Sequence, residues 1–290
     1  MVGNYFEKLI YGCIRYSGIP FIFREIIQRN KVTILYFHDI NPDTAEKIFG
    51  KLMSIYNIIS LNDFLYLHRE KKNPPKKALI ITFDDGHRGN YKLLPIIKKF
   101  HIPVTIYLCS GIINTNRHFW FKEKHPFYNG RMLKNTQNSE RLRILKEIGF
   151  EQEKTYLSPQ ALSKNQIIEM LPFVNFQSHT IFHPCLTKCD DSEAWNEIFI
   201  SKQMLERDYN LDINAIAYPN GNYSDRDIQL CMDAGYEFGL TTEFGFNTYN
   251  TDPFRLKRLS VNDTDDINEL IVRVSGFWAF LKFKILRLKS

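Results

Sequence analysis

At 290 residues, with 44% hydrophobic, 14% aromatic and 24% charged side chains, the chain can bury roughly three quarters of its unfolded surface. It is neither disordered nor collagen-like. The net charge of +6 belongs to the two ends: residues 1–31 carry five cations against two acids, residues 277–290 carry Lys282, Lys284, Arg287 and Lys289 with no acid, and the body between them is at −1. A body without basic excess argues against a nucleic-acid partner.

The basic segment 1–31 reads as a helical extension, and Glu7 and Lys8 interrupt its one apolar stretch, so no signal peptide is expected. With no apolar run of about 18 residues to span a bilayer, the expectation is a cytoplasmic protein. Five cysteines, at 13, 109, 185, 189 and 231, are an odd number in a long chain. They read as reduced thiols, and Cys185-x3-Cys189 lacks the second pair that structural zinc needs.

From Val32 onward, short β-rich runs alternate with longer helical patterns. The predicted strands are Val32–Phe37, Ala78–Phe83, Val104–Cys109, Val174–Ser178, Ala215–Tyr218 and Phe238–Thr242. All are continuous apolar runs, as strands covered on both faces require. The predicted helices are Ala45–Tyr56, Leu61–Glu70 (capped by Ser60), Tyr91–Phe100 (bent or broken by Pro95), Arg141–Ile148, Gln160–Leu171, Glu193–Tyr209 and Asp225–Ala234. This alternation means a parallel sheet with helices outside it. The absence of G-x-G-x-x-G after any strand favours a β/α barrel over an open dinucleotide-binding sheet. In either topology a site belongs at the C-terminal ends of the strands.

Three clusters follow predicted strands. Thr82-Phe-Asp84-Asp85-Gly86 ends a buried strand in two carboxylates and a glycine that permits a sharp turn. Because successive strand side chains point to opposite faces, both carboxylates reach one site only if the strand has ended. The competing reading is a solvated turn. His179-x3-His183-Pro184 places two imidazoles four residues apart, and Pro184 opposes a continuing helix. A loop then has to bring both rings to one ion, or the histidines are unrelated. Tyr218-Pro-Asn220-Gly221 is a tight turn whose amides can stabilise an oxyanion, or merely a turn. Together, one carboxylate and two imidazoles make a three-ligand divalent-metal set with an open position, and the second carboxylate is left as a general base.

These motifs resemble those of the polysaccharide deacetylases, the NodB-homology or carbohydrate esterase family 4 enzymes, across about residues 32–262. The family's T-F-D-D-G stands intact at Thr82–Gly86, its histidine motif at His179–Pro184, and Ala217–Gly221 represents its R-x-P-[YF]-G. The resemblance implies a distorted β/α barrel, Asp85, His179 and His183 as metal ligands, Asp84 as base and Asn220 as the oxyanion amide. It also implies hydrolysis of acetyl groups from N-acetylated sugars. Zinc is the first expectation, and cobalt, nickel or iron suit the same ligands.

Two departures stand out. The arginine that opens the third motif is Ala217 here, with Arg255 and Arg258 as the candidates to reach the site, in its role or as substrate contacts. The late L-x-H that supplies the catalytic acid is missing, because no histidine follows His183. His38, at the end of the first strand, is the expected acid, since a closed barrel sets its first strand beside its last. Asp39 either orients that ring or starts a turn. Trp120, in Phe119-Trp-Phe121, and Tyr218 are candidate sugar contacts. The competing functions are a catalytically inactive carbohydrate-binding relative and a metal hydrolase of another C–N bond or of O-acetyl groups. The aromatic, basic run Phe277–Lys289 suggests peripheral membrane contact, or a terminal helix packed on the barrel.

Overall fold

The computed structural model describes residues 2–123, 128–262 and 266–281. Among them, eight strands form one sheet: β1 (Val32–Phe37), β2 (Asn57–Ile58), β3 (Ala78–Phe83), β4 (Val104–Leu108), β5 (Val174–Ser178), β6 (Ala215–Ala217), β7 (Phe238–Leu240) and β8 (Leu259–Ser260). Every pairing between these strands is parallel, in the spatial order β7-β6-β5-β4-β3-β1-β8. The small β2 pairs with Ala78 and Leu79 of β3, and β4 takes over from Ile81 onward.

The sheet curls until its two ends meet. Leu256 bridges to Leu240 of β7; its N–H donates to Gly239 and its carbonyl accepts from Thr241. Three residues later Leu259 pairs with Leu35 of β1. The segment from Leu256 to Ser260 is therefore a seam that closes a distorted barrel, and the first strand does neighbour the last.

The helices that cover the barrel are α1 (Val2–Tyr16), α2 (Ile19–Ile22), α3 (Pro42–Met53), α4 (Leu61–Arg69), α5 (Leu94–Phe100), α6 (Gly130–Asn135), α7 (Asn138–Glu147), α8 (Lys164–Met170), α9 (Asp191–Tyr209), α10 (Asp225–Asp233) and α11 (Ile267–Val274). Their starts are encoded locally. Ser60, Ser163, Asp190 and Ser224 each accept from the third helical N–H and receive a bond back, an arrangement that satisfies two otherwise orphaned donors. Two helical expectations change. Pro95 begins α5 instead of bending a longer helix, since its missing N–H costs nothing in a first turn. The helix expected from Gln160 starts only at Lys164, because Ala161 is spent on an antiparallel bridge to His87 and Ser163 caps the shorter α8.

The long strands are buried on both faces, β3 and β4 along their whole length. Val32, Ile34, Ala78, Ile80, Ala217, Leu240 and Leu256 fill the lumen with Leu61, Phe64 and Leu65 of α4. The intervening Leu35, Phe37, Leu79, Ile81 and Phe83 pack under the outer helices. This two-layer burial explains the unbroken apolar runs in the sequence.

The N-terminal extension is helical and lies on α11. Arg15 donates to Asn268 at 2.6 Å, and the rings of Tyr11 and Trp278 stand 4.9 Å apart. Residues 277–281 are helical as well, with Phe277 and Phe280 at 5.3 and 5.7 Å from Phe23. The N-terminal segment thus packs against residues 277–281. Residues 282–290, with four of the tail's cations, lie outside the described residues.

Candidate active and metal site

Strand alternation assembles the site. Continuing the lumen-facing positions in steps of two gives His38 after Ile34 and Tyr36, Asp84 after Ile80 and Thr82, His179 after Gln177 and Thr242 after Leu240, all just past their strands, and Arg258 after Leu256 in the segment that leads into β8. His38, Asp84, His179 and Thr242 line one cavity of about 240 Å³, with Tyr36, Asp85, Phe121, Lys134, His183 and Asn220. Asp85 is out of phase and is turned inward because the strand stops: its φ is 72° and that of Gly86 is 69°. At position 86 a Cβ would stand 2.6 Å from Leu108 Cδ2, so only glycine completes this turn. Thr180, His183 and Asn220 also take positive φ. Two of the three candidate ligands, Asp85 and His183, are thus held in the sparsely populated left-handed region.

Asp84 is held by Arg258. The guanidinium donates Nη1 to Oδ1 at 2.7 Å and Nη2 to Oδ2 at 2.9 Å, and its Nε donates to the Thr241 carbonyl at 2.8 Å. Tyr36 flanks it, 4.6 Å from ring centre to guanidinium carbon. Burial alone would raise the Asp84 carboxyl, but the Arg258 charge and fork outweigh it and hold the group below its ordinary range. Arg258 thereby steadies Asp84, as the resemblance expects of the arginine that Ala217 replaces. It is wholly buried and does not line the cavity.

The hydrogen bonds of the site leave three atoms converging. Lys122 has only donors, so His87 Nδ1 accepts from it at 3.1 Å and His87 Nε2–H donates to Asp85 Oδ2 at 2.9 Å. Asp85 Oδ1 is left buried with no hydrogen-bond partner. His179 Nδ1–H donates to the Ala217 carbonyl at 2.7 Å, which frees Nε2. The Nε2 atoms of His179 and His183 each stand 3.4 Å from Asp85 Oδ1. Burial pushes His183 down to about 3, so its ring is a neutral donor. Burial disfavours charge on His179 too, but the neighbouring Asp85 and Asp84 carboxylates push it above the ordinary histidine value. A buried carboxylate oxygen without a partner, between the Nε2 atoms of His179, oriented by its bond to Ala217, and of His183, whose ring packs against Phe121, is an arrangement that suits a divalent cation. Among the described residues this is the one His/Cys/Asp/Glu group with such spacing; the Cys185–Cys189 pair is not part of it.

A family model described as polysaccharide deacetylase matches residues 71–239. The chain belongs to the polysaccharide deacetylase family. It is 26% identical over 230 residues to the poly-beta-1,6-N-acetyl-D-glucosamine N-deacetylase of Staphylococcus epidermidis, covering 76% of this chain and 66% of that one. It thus spans about two thirds of that relative's length. Two solved structures share the fold. The Streptococcus pyogenes deacetylase PplD in complex with acetate has a TM-score of 0.61 at 24% identity, covering 81% of this chain and 94% of that one. IcaB from Ammonifex degensii has a TM-score of 0.61 at 16% identity, covering 86% and 98%.

In this deacetylase the structure separates the expected residues into two sets. Asp84, Asp85, His179, His183, His38 and Asn220 come together around one cavity. Four expected substrate contacts do not. Tyr218 follows Ala217, so it points outward, and its hydroxyl donates to the Phe254 carbonyl at 3.1 Å. Trp120 is buried among Leu133, Ile144, Leu145 and Phe150, and its Nε1–H donates to the His183 carbonyl at 2.8 Å. Its neighbour Phe121 takes the cavity face, 4.6 Å from the His183 ring. Arg255 points to solvent, bound to Asp252 and Asp225. Arg258 serves the base instead of a substrate. Asp39 lies against Gly89, where a Cβ would collide with it.

Glu197 of α9 was not legible in the motifs. Its Oε2 accepts the N–H groups of Ile181 at 2.8 Å and Phe182 at 2.9 Å, pinning the turn between the two histidines. Burial pushes its carboxyl up to about 7 against the lowering effect of these bonds. An acid raised on folding favours the folded state below its ordinary value and loses that contribution as pH rises through the folded one. Thermal stability should therefore fall between about pH 4.5 and 7, and Glu197→Gln, which keeps an accepting oxygen, should flatten that slope in melting curves. Glu197→Ala should instead strand two amides, at about 1–3 kcal/mol each, and weaken cation binding by about 10–100-fold, measured by titration calorimetry.

Proposed function

We propose that the protein hydrolyses the acetamide of an N-acetylated hexosamine in a glycan, releasing acetate and leaving a free amine. The observation that carries this reading is the single cavity in which Asp84, the Asp85–His179–His183 group and His38 face one another. At about 240 Å³ it is smaller than an ordinary whole-ligand pocket, which suits the acetamido end of one sugar unit with the rest of the chain outside. The name of the Staphylococcus epidermidis relative supports a polymer of N-acetylglucosamine as substrate class.

Asp85 Oδ1 and the Nε2 atoms of His179 and His183 would hold a divalent cation, zinc first among those that suit nitrogen and oxygen donors. When bound, such an ion supplies Lewis acidity to the carbonyl and lowers the pKa of attacking water. Asp84 takes the proton from that water, ionised and aimed by Arg258. The Asn220 amide, carried on its left-handed turn, is assigned to the carbonyl oxygen as its charge grows. His38 returns a proton to the departing amine. Phe121 offers the sugar an apolar face beside His183.

The test joins metal content to acetate release. Protein loaded with zinc should hold about one ion per chain by elemental analysis and release acetate from N-acetylglucosamine oligomers. His179→Ala and His183→Ala should lose both, whereas Asp84→Asn should keep the ion and lose turnover. Retained turnover in Asp84→Asn would overturn the base assignment. Acetate from O-acetylated glycans alone, or release from neither substrate with the metal bound, would favour the competing functions.

A further inference from the structure

The N-terminal segment builds a surface that the deacetylase site does not use. Leu9, Tyr16, Phe21, Ile22 and Ile26 fall within one short stretch and are each about half exposed or more, Tyr16 at 78% and Ile26 at 71%. On α1, Leu9, exposed Cys13 and Tyr16 follow i, i+4, i+7, the spacing of a single helical stripe. The buried Tyr11 on the same helix faces α11. Gly18, at φ 80°, then turns the chain, and Phe21, Ile22 and Ile26 add a second apolar row. Soluble monomers seldom expose large apolar side chains in such concentration.

The charges around these rows are positive. Lys8, Arg15, Arg24, Arg29 and Lys31 stand against Glu7 and Glu25, and Glu25 is already bound by Arg24 at 2.7 Å and Lys77 at 3.4 Å. Two cations lie directly over the exposed aromatics: Arg15 over Tyr16 at 5.2 Å and Arg24 over Phe21 at 5.3 Å.

We propose that this face docks the protein on an anionic membrane surface, with the apolar rows in the headgroup region and the cations against lipid phosphates. A second copy of the chain fits less well, because like faces would bring cation against cation. No described helix is long and apolar enough to cross a membrane, so contact is peripheral. None of these residues lines the deacetylase cavity.

Co-sedimentation of the full chain with phosphatidylcholine vesicles, with and without phosphatidylglycerol, tests this. Binding should require the anionic lipid and weaken with salt. The combined change Phe21→Ser, Ile22→Ser, Ile26→Ser should lower partitioning by about 10-fold or more with an unchanged melting temperature, since all three side chains are exposed. If that variant fails to fold, Lys8→Glu with Arg29→Glu should produce the same loss. Absence of binding to anionic vesicles, or equal binding by the variants, would overturn the proposal. So would a concentration-dependent dimer, seen by sedimentation equilibrium without lipid, that the serine changes abolish.

Discussion

Arg258→Ala is expected to cut acetate release by about 10²–10⁴-fold and to destabilise the fold by about 3–5 kcal/mol. The wild-type carboxylate of Asp84 is buried and is kept ionised by the two guanidinium bonds. Without them, burial favours the protonated acid, and a protonated Asp84 cannot accept a proton from water. The residual activity should therefore rise toward alkaline pH, where the unpaired carboxyl finally ionises. Arg258→Lys should fall between the two, because an ammonium keeps the charge but cannot reach both Asp84 oxygens and Thr241 in one plane. Rate profiles and denaturant melts of the two variants measure both effects. In a double-mutant cycle with Asp84→Asn the stability losses should be far from additive, since each change alone strands its partner. An Arg258→Ala enzyme with the wild-type profile would remove the guanidinium from the chemistry.

His38→Ala should keep its metal and lose about 10²–10⁴-fold in turnover, the usual worth of a placed proton donor. His38 follows β1 on the lumen side, lines the cavity, and has its carbonyl fixed by Asn90 at 2.7 Å. Its ring leans edge-on toward Tyr36 at 5.8 Å. Metal analysis separates this outcome from a collapsed ligand set. A metal-replete His38→Ala enzyme of ordinary speed would show that another group or water protonates the amine.

The candidate ligand residues are readable because a motif at a strand end needs only local information: where the strand stops, and which face its last residues address. The same alternation had a use that the aromatic reading passed over. Ala215 and Ala217 face the lumen, so Tyr218 must face away, whatever its suitability for stacking on a sugar. Trp120 was illegible for another reason. It belongs to a small core formed with α6 and α7 between β4 and β5, which no strand period describes. The two-residue strands β2 and β8 are too short to carry a period. Arg258 could be nominated but not placed, because its role depends on the barrel seam and not on its neighbours in sequence.

That seam also links the order of folding to the appearance of chemistry. Arg258 and Asp84 are 174 residues apart in the chain, and a contact of that span closes one of the costliest loops in the molecule. A partly assembled barrel that has paired β1 with β3 but not yet received β8 would bury Asp84 without its cation. Such an intermediate is penalised electrostatically as well as by its open sheet edge, which sharpens the cooperativity of the last step. Asp84, the proposed base, gains its guanidinium partner in the same event that completes the barrel, so the proposed chemistry would wait on the last step of folding.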